Sequence, residues 1–254
     1  MRVLLLLNVL VLSAFAQVPI PKQPLGFTYG NGDASAQIQL EAFMGPLCPD
    51  SKECFATLQN VASFYGPSRL RLRYHLFPLP YHRNAFIAAK ATRIVDRFTN
   101  SNETIDFMGT IYTNIDSFSN DATHGMSEAE VIQKLADYGS KMAKVSMKEF
   151  VDMMSSDTIE GDTRTEWKYT CSRGFSGTPT FTVNDVLVAA DPKWTVSEWR
   201  QVLDPLLGIT SNSIPRTFVR GECKIGTKRC EYLPGKVECC TKGEGCIPNV
   251  GCRC

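Results

Sequence analysis

Cys48 is the residue of this chain best placed to do chemistry. It opens the stretch Cys48-Pro49-Asp50-Ser51, between an apolar strand pattern and a helical one. Pro49 fits the first turn of a helix, where a missing N–H costs nothing. Cys48 therefore falls where unpaired backbone N–H groups and the positive end of the helix dipole meet. Such positions lower a cysteine pKa from about 8.5 to roughly 3.5–7.5, which points to a nucleophilic thiolate. The competing reading is a small buried hydrophobe, as free cysteines often are. Asp50 opposes thiolate formation, Lys52 offsets it in part, and Ser51 is placed to donate a hydrogen bond to the sulfur. His75, His82 and His124 do not have metal-ligand spacing, and glycine-rich phosphate loops, a G-x-S-x-G elbow and H-E-x-x-H are absent. Asn102-Glu103-Thr104 is a glycosylation acceptor pattern.

The elements that must position Cys48 are legible around it. From Ala36 to Phe43, Ile38, Leu40 and Ala42 alternate with Gln39 and Glu41, a strand pattern. Phe55, Leu58, Val61, Ala62 and Tyr65 then recur at helical spacing until Gly66-Pro67. Leu70, Leu72, Tyr74 and Leu76 alternate with Arg69, Arg71, Arg73 and His75, so strand–helix–strand suggests a parallel βαβ unit. Helical patterns fill about residues 83–175, one opened by the capping box Ser127 to Glu130. The methionines there, Met108, Met142, Met147, Met153 and Met154, read as helical core. Gly177-Thr178-Pro179-Thr180 leads into a hairpin turning at Asn184-Asp185. A closing helix spans Ser197 to Leu207, with Pro205 able to end it.

Composition bounds the class. Arg2, the apolar run Val3–Leu12 and Ala14-Phe15-Ala16 form a secretory signal peptide over residues 1–16, too short for a membrane span. Secretion or the lumen of the secretory pathway is expected, with no integral span. Without Arg2 the 27 basic and 26 acidic residues balance, which argues against a nucleic-acid partner. Residues 17–35 read as an irregular lead-in, 36–208 as the main domain, 209–220 as a linker and 221–254 as a cysteine-rich module.

Ten cysteines in an exported chain should mostly pair. Cys223, Cys230, Cys239, Cys240, Cys246, Cys252 and Cys254 crowd the tail, whereas only Cys48, Cys54 and Cys171 precede them. The adjacent pair and the closing C-x-C resemble inhibitor cystine knots, though sequence cannot choose among the pairings. Six residues of helix separate the Cα atoms of Cys48 and Cys54 by about 9 Å, beyond the roughly 7 Å limit of a disulfide. Both groups are odd in number, so one tail cysteine is left over once three bridges close. It could staple to Cys54 or Cys171, or link to Cys48, making the tail a built-in substrate or lid. A Cys54–Cys171 bridge is equally open.

Together these motifs resemble the DsbA-like branch of the thioredoxin superfamily over about Gln37 to Leu207. Cys48-Pro49-Asp50-Ser51 stands in the slot of the redox motif, and His75-Leu76-Phe77-Pro78 followed by Asn84–Ala89 looks like the second strand and the start of that branch's helical insertion. Gly177–Phe181 looks like the loop that carries a cis proline. The resemblance implies an α/β, thioredoxin-like fold with an inserted helical subdomain. It also implies that Cys48 attacks disulfides, that Thr178 and Pro179 bind an extended cysteine-containing polypeptide, and that Glu41 is a proton acceptor beneath the motif. Ser51 departs from the pattern because it replaces the resolving cysteine. That leaves a monothiol oxidoreductase or isomerase needing no resident cofactor, with glutathione as a possible co-substrate. Two other readings stand beside it. One is a catalytically silent secreted binding protein with a knot-like tail; the other is a kappa-class glutathione-transferase-like activity using Ser51.

Overall fold

The structure is a computed structural model that describes residues 20–209 and, in the tail, 228–233, 236–240, 243, 245–247 and 251–253. The expected signal peptide, most of the expected linker, Cys223 and Cys254 lie outside the described residues. Two strands and a helix carry the centre of the domain: β2 (Ile38–Met44), α1 (Pro49–Tyr65) and β3 (Leu70–Leu76). β2 and β3 pair in parallel, with Ile38 opposite Leu70 and Met44 opposite Leu76, as the βαβ pattern requires. The lead-in is not wholly irregular, because β1 (Phe27–Thr28) pairs antiparallel with β3. Only two residues long, it is too short to show a period.

The rest of the main sheet returns late in the chain. β4 (Thr180–Val183) runs antiparallel to β2, and β5 (Val186–Val188) closes a hairpin with it, giving the order β1-β3-β2-β4-β5. Asn184 and Asp185 both adopt positive φ, 48° and 66°, which a two-residue hairpin turn demands. Asn184 also ties the turn to β2, its Oδ1 accepting from Gln39 N–H at 2.8 Å.

Between β3 and β4 lies the helical insert: α2 (Ala85–Thr99), α3 (Thr104–Thr113), a 3₁₀ turn at Ile115–Phe118, α4 (Glu128–Ala143), α5 (Met147–Met154) and α6 (Asp157–Ser172). Ser127 and Glu130 form the expected capping box of α4. Met108 and Met154 are core residues, but Met147 is exposed. α6 starts at Asp157, with Ser156 as its N-cap. α7 (Val196–Leu203) stops where Pro205 enters, and a 3₁₀ turn continues over Asp204–Leu207.

The sheet has two distinct faces. Tyr74 and Phe181 point toward α1 and α7, with Tyr74 packed on Phe55 and Phe181 edge-on to Trp199. His75, the residue after Tyr74 on β3, and its β2 neighbour Phe43 point the other way and meet Tyr169 of α6. The tail is separate in pairing: β6 (Lys228–Leu233) with β7 (Lys236–Cys240), and β8 (Gly245–Ile247) with β9 (Gly251–Arg253). Cys230–Cys246 and Cys240–Cys252 bridge these two hairpins. Among the described residues, no helix is long and apolar enough to cross a membrane.

Candidate thiol–disulfide site

Cys48 is the N-cap of α1, in extended conformation at φ −92° and ψ 124°, and Pro49 opens the helix. Its N–H donates to Gly45 O at 3.1 Å, and its carbonyl accepts from Lys52 N–H at 3.1 Å. The second of these bonds is the first turn of the helix. Cys48 Sγ lies 3.4 Å from Thr178 O, and the Thr178–Pro179 peptide is cis. Residues 130 positions apart therefore meet at one sulfur.

That sulfur differs from the expected accessible thiolate in two respects. Cys48 is 0 % exposed, and it is disulfide-bonded. A bonded sulfur carries no proton, so its approach to Thr178 O is a van der Waals contact.

Ser51 is buried, and its Oγ accepts from Gly45 N–H at 3.0 Å. Its hydroxyl thus braces the turn leading into α1. Sequence reasoning missed two residues here. Gly45 passes between the two arms of the site: a Cβ on it would lie 2.7 Å from Cys48 Cβ and 2.7 Å from Thr178 Oγ1. Tyr112 reaches in from α3 and donates to Gly45 O at 3.1 Å. The glycine has a sequence signal, as the residue ending an apolar strand just before the motif. Tyr112 has none, because only the docking of the insert brings it near. Burial raises its phenol pKa well above the ordinary value, so it remains a donor.

Glu41 is not beneath Cys48. It lies on the sheet face turned away from α1, where Oε1 sits 3.3 Å from His75 Nε2 and 3.7 Å from Arg73 Nη1. Oε2 accepts from Thr182 Oγ1 at 3.3 Å. Strand alternation decides this: Ala42 and Met44 face α1, so Glu41 cannot. His75 in turn holds Glu166 of α6 through Nδ1 at 2.7 Å, and Arg93 of α2 pairs with the other oxygen of Glu166. Burial works against charge on all three titrating groups. It is outweighed by their mutual hydrogen bonds and charges, so the His75 pKa is raised while those of Glu41 and Glu166 are lowered.

The remaining cysteines sort clearly. Cys54, expected among the disulfide candidates, is a thiol buried in the core, where Sγ lies 4.0 Å from Met44 Sδ. The α1 helix is intact, so its distance from Cys48 prevents a bridge, as the helical rise predicts. Cys171 is also a thiol, partly exposed, with its pKa raised by burial. The sulfurs of Cys230, Cys240 and Cys252 cluster within 4.8 Å, but all three belong to disulfides or a disulfide partner set and offer no thiolate to a metal. Cys239 is likewise disulfide-bonded. Asn102 is exposed in the turn between α2 and α3, where a glycan would have room.

Comparison with known proteins places this geometry. BdbD from Bacillus subtilis, in its oxidised form, is similar with a TM-score of 0.58 at 14% identity, covering 72% of this chain and 93% of that one. Wolbachia pipientis alpha-DsbA1 is similar with a TM-score of 0.56 at 16% identity, over 75% and 94%. The thiol-disulfide exchange protein alpha-DsbA2 of the same organism gives 0.54 at 16%, over 71% and 87%. No curated protein sequence matches. The family model described as thioredoxin matches residues 23–205. With that match spanning the sheet, the motif turn and the helical insert, the chain belongs to the thioredoxin family.

Proposed function

We propose that the protein is an exported thiol–disulfide oxidoreductase or isomerase that acts on extended cysteine-containing polypeptides through Cys48. One observation carries this reading: Cys48 Sγ stands at the N-terminus of α1, 3.4 Å from the carbonyl that precedes the cis proline. The helix end favours a thiolate once the sulfur is released. The Thr178 backbone offers an extended polypeptide a hydrogen-bonding edge beside that sulfur. In the reaction, the Cys48 thiolate attacks one sulfur of a substrate disulfide, forming a mixed disulfide and releasing the other sulfur as a thiolate. Attack on the substrate sulfur by an external thiolate, such as glutathione, then expels Cys48. Ser51 positions the turn through Gly45 and takes no part in the exchange. The signal peptide supports an oxidising compartment for this chemistry.

The test is a reductase and isomerase assay with glutathione, comparing the native chain with Cys48→Ala. Activity should fall to background in the variant. After reduction, Cys48 should be alkylated with a midpoint near or below neutrality; a midpoint above about 8.5 would remove the reading.

A second reading has its own support, because Cys48 is fully buried and already oxidised. The fold would then be a secreted binding protein closed by a permanent cross-link. Partner capture unaffected by Cys48→Ala, together with inactivity of the native chain, would establish it. The kappa-class alternative loses support, since Ser51 is buried and committed to Gly45.

A further inference from the structure

We propose that His75 is a positioning residue for the loop that carries Thr178 and Pro179: acting through Phe43 and Phe175, it holds that loop against Cys48 and in reach of a polypeptide. The proposal rests on the reading of Cys48 as the nucleophile and Thr178 as the docking edge, and names the group that regulates that edge.

The loop is anchored at one side chain. Phe43 stands opposite Thr180, the residue after Pro179, in the β2–β4 ladder. Its ring meets Phe175, three residues before Thr178, edge-on at 4.7 Å. Between these two points Thr180 Oγ1 donates to Gly177 O at 2.7 Å and ties the loop to itself. Phe43 also lies two residues before Gly45, whose carbonyl accepts from Cys48 N–H. In a close-packed interior, a displaced Phe43 ring moves the Thr178 arm of the site relative to the Cys48 arm.

What fixes that ring is His75, its neighbour across the parallel β2–β3 register. The two rings stack with centroids 4.5 Å apart and planes 13° apart. Nδ1 of His75 lies 2.7 Å from Glu166 Oε1, and Nε2 lies 3.3 Å from Glu41 Oε1. A carboxylate offers only acceptors, so the ring bonds both partners only when both nitrogens carry protons. The cation then lies on the face of Phe43, whose negative quadrupole favours it. Loss of one proton turns a nitrogen lone pair toward a carboxylate, and the stack loses its support. The charged and titratable groups around the ring come from every neighbouring element. They are Glu41 on β2, Arg73 on β3, Arg93 on α2, Glu166 and Tyr169 on α6, and Arg173 just beyond, over the Tyr169 and Phe175 rings. Burial works against the cation, but the bonds and charges of Glu166 and Glu41 outweigh it and raise the pKa. Stability alone does not account for such a network, because apolar residues of similar shape often serve as well or better. His75 itself touches no reacting atom, since it faces α6 while Cys48 opens α1 on the other side of the sheet.

The experiment uses the full mature chain after reduction, and its Phe175→Leu variant. His75→Ala would strip two carboxylates of their shared partner and loosen the whole layer, so the native titration and Phe175→Leu carry the test. NMR follows the His75 ring and the Gly177 and Thr178 amides across a pH titration. In the native chain both amides should shift at the midpoint of His75, which lies above the ordinary histidine value of about 6.5. In Phe175→Leu the His75 titration should persist and the amides should no longer follow it. With glutathione as reductant and a cystine-containing extended peptide as substrate, the peptide KM of the native chain should rise about tenfold through the same midpoint, in the range of one lost hydrogen bond. Alkylation of Cys48 by a small reagent, which needs no docking, should have the same pH profile in both chains. Native amides that ignore the His75 titration would overturn the proposal, as would a peptide KM flat across it or a Phe175→Leu chain whose amides still follow it. The NMR coupling needs no substrate. A chain that shows it but exchanges no disulfide would keep the loop-positioning role and lose the oxidoreductase reading.

Discussion

Gly45 decides how closely Cys48 and Thr178 can approach. The added methyl group of an alanine would lie 2.7 Å from an atom of each neighbour, and neither is the far end of a flexible chain. Gly45→Ala should therefore push the sulfur away from the Thr178 carbonyl and cost about 1–3 kcal/mol by overpacking. A shift of roughly 1 Å at a reacting centre can cost about a hundredfold in rate, so thiol exchange at Cys48 should slow by about tenfold or more. Stopped-flow alkylation of the reduced protein measures this directly. Ser51 acts on the same turn from the other side. Ser51→Ala leaves the Gly45 N–H buried without its acceptor, a loss of about 1–3 kcal/mol. Urea unfolding should show that loss while the pH midpoint of Cys48 alkylation stays put. A large rise in the midpoint would instead return to Ser51 the thiolate-stabilising role that its position in the motif first suggests.

At the level of elements, the pairing of α6 with the back of the sheet depends on charge. Glu166 is fully buried between His75 and Arg93, and His75 reaches on to Glu41. Breaking a buried pair by removing one partner costs about 3–5 kcal/mol, so Glu166→Gln should lower the denaturant midpoint by that equivalent. The pH dependence has a definite sign. The raised pKa of His75 means its contribution is complete below the ordinary histidine value, about 6.5, and is lost as pH rises through the folded value. The lowered pKa values of Glu41 and Glu166 mean theirs is complete above about 4.3 and is lost as pH falls through the folded values. Native stability should therefore have a broad maximum between these limits, one that Glu166→Gln flattens on both flanks. None of this network is written in a single stretch of sequence. The alternation in β3 correctly separates Tyr74 from His75, but it reads as an apolar face and a solvated one. What makes the second face buried is α6, joined to β3 through some eighty residues of insert, and only the docked helix shows that Arg73 and His75 need carboxylate partners. The same reason hides Tyr112. Cys48, the cis proline loop and the hairpin turn are legible because each depends on local conformation or a contiguous motif.

For the molecule as a whole, the cysteine counts already hint at a link across the chain, since three in the domain and seven in the tail cannot both pair internally. The structure adds the place where the two parts touch, at Ala189. How firmly that contact is kept is then governed by the fold of the tail, which holds the cystine core together against Ala189. The Cys230–Cys246 bridge sets how firmly the tail is held, closing a loop with a sequence separation of 16. For a loop near that length such a bridge is worth about 3 kcal/mol in the chain-entropy account. The paired substitution Cys230→Ser with Cys246→Ser removes it without leaving an odd thiol. If the tail's own fold keeps its cystine core on Ala189, this variant should uncover that residue, read as at least tenfold faster amide hydrogen exchange there than in the native chain. The main domain should unfold at an unchanged denaturant concentration, because its core lies in the sheet and helices. Unchanged exchange there would mean that the contact does not depend on the bridge, and that the hairpins of the tail serve another surface.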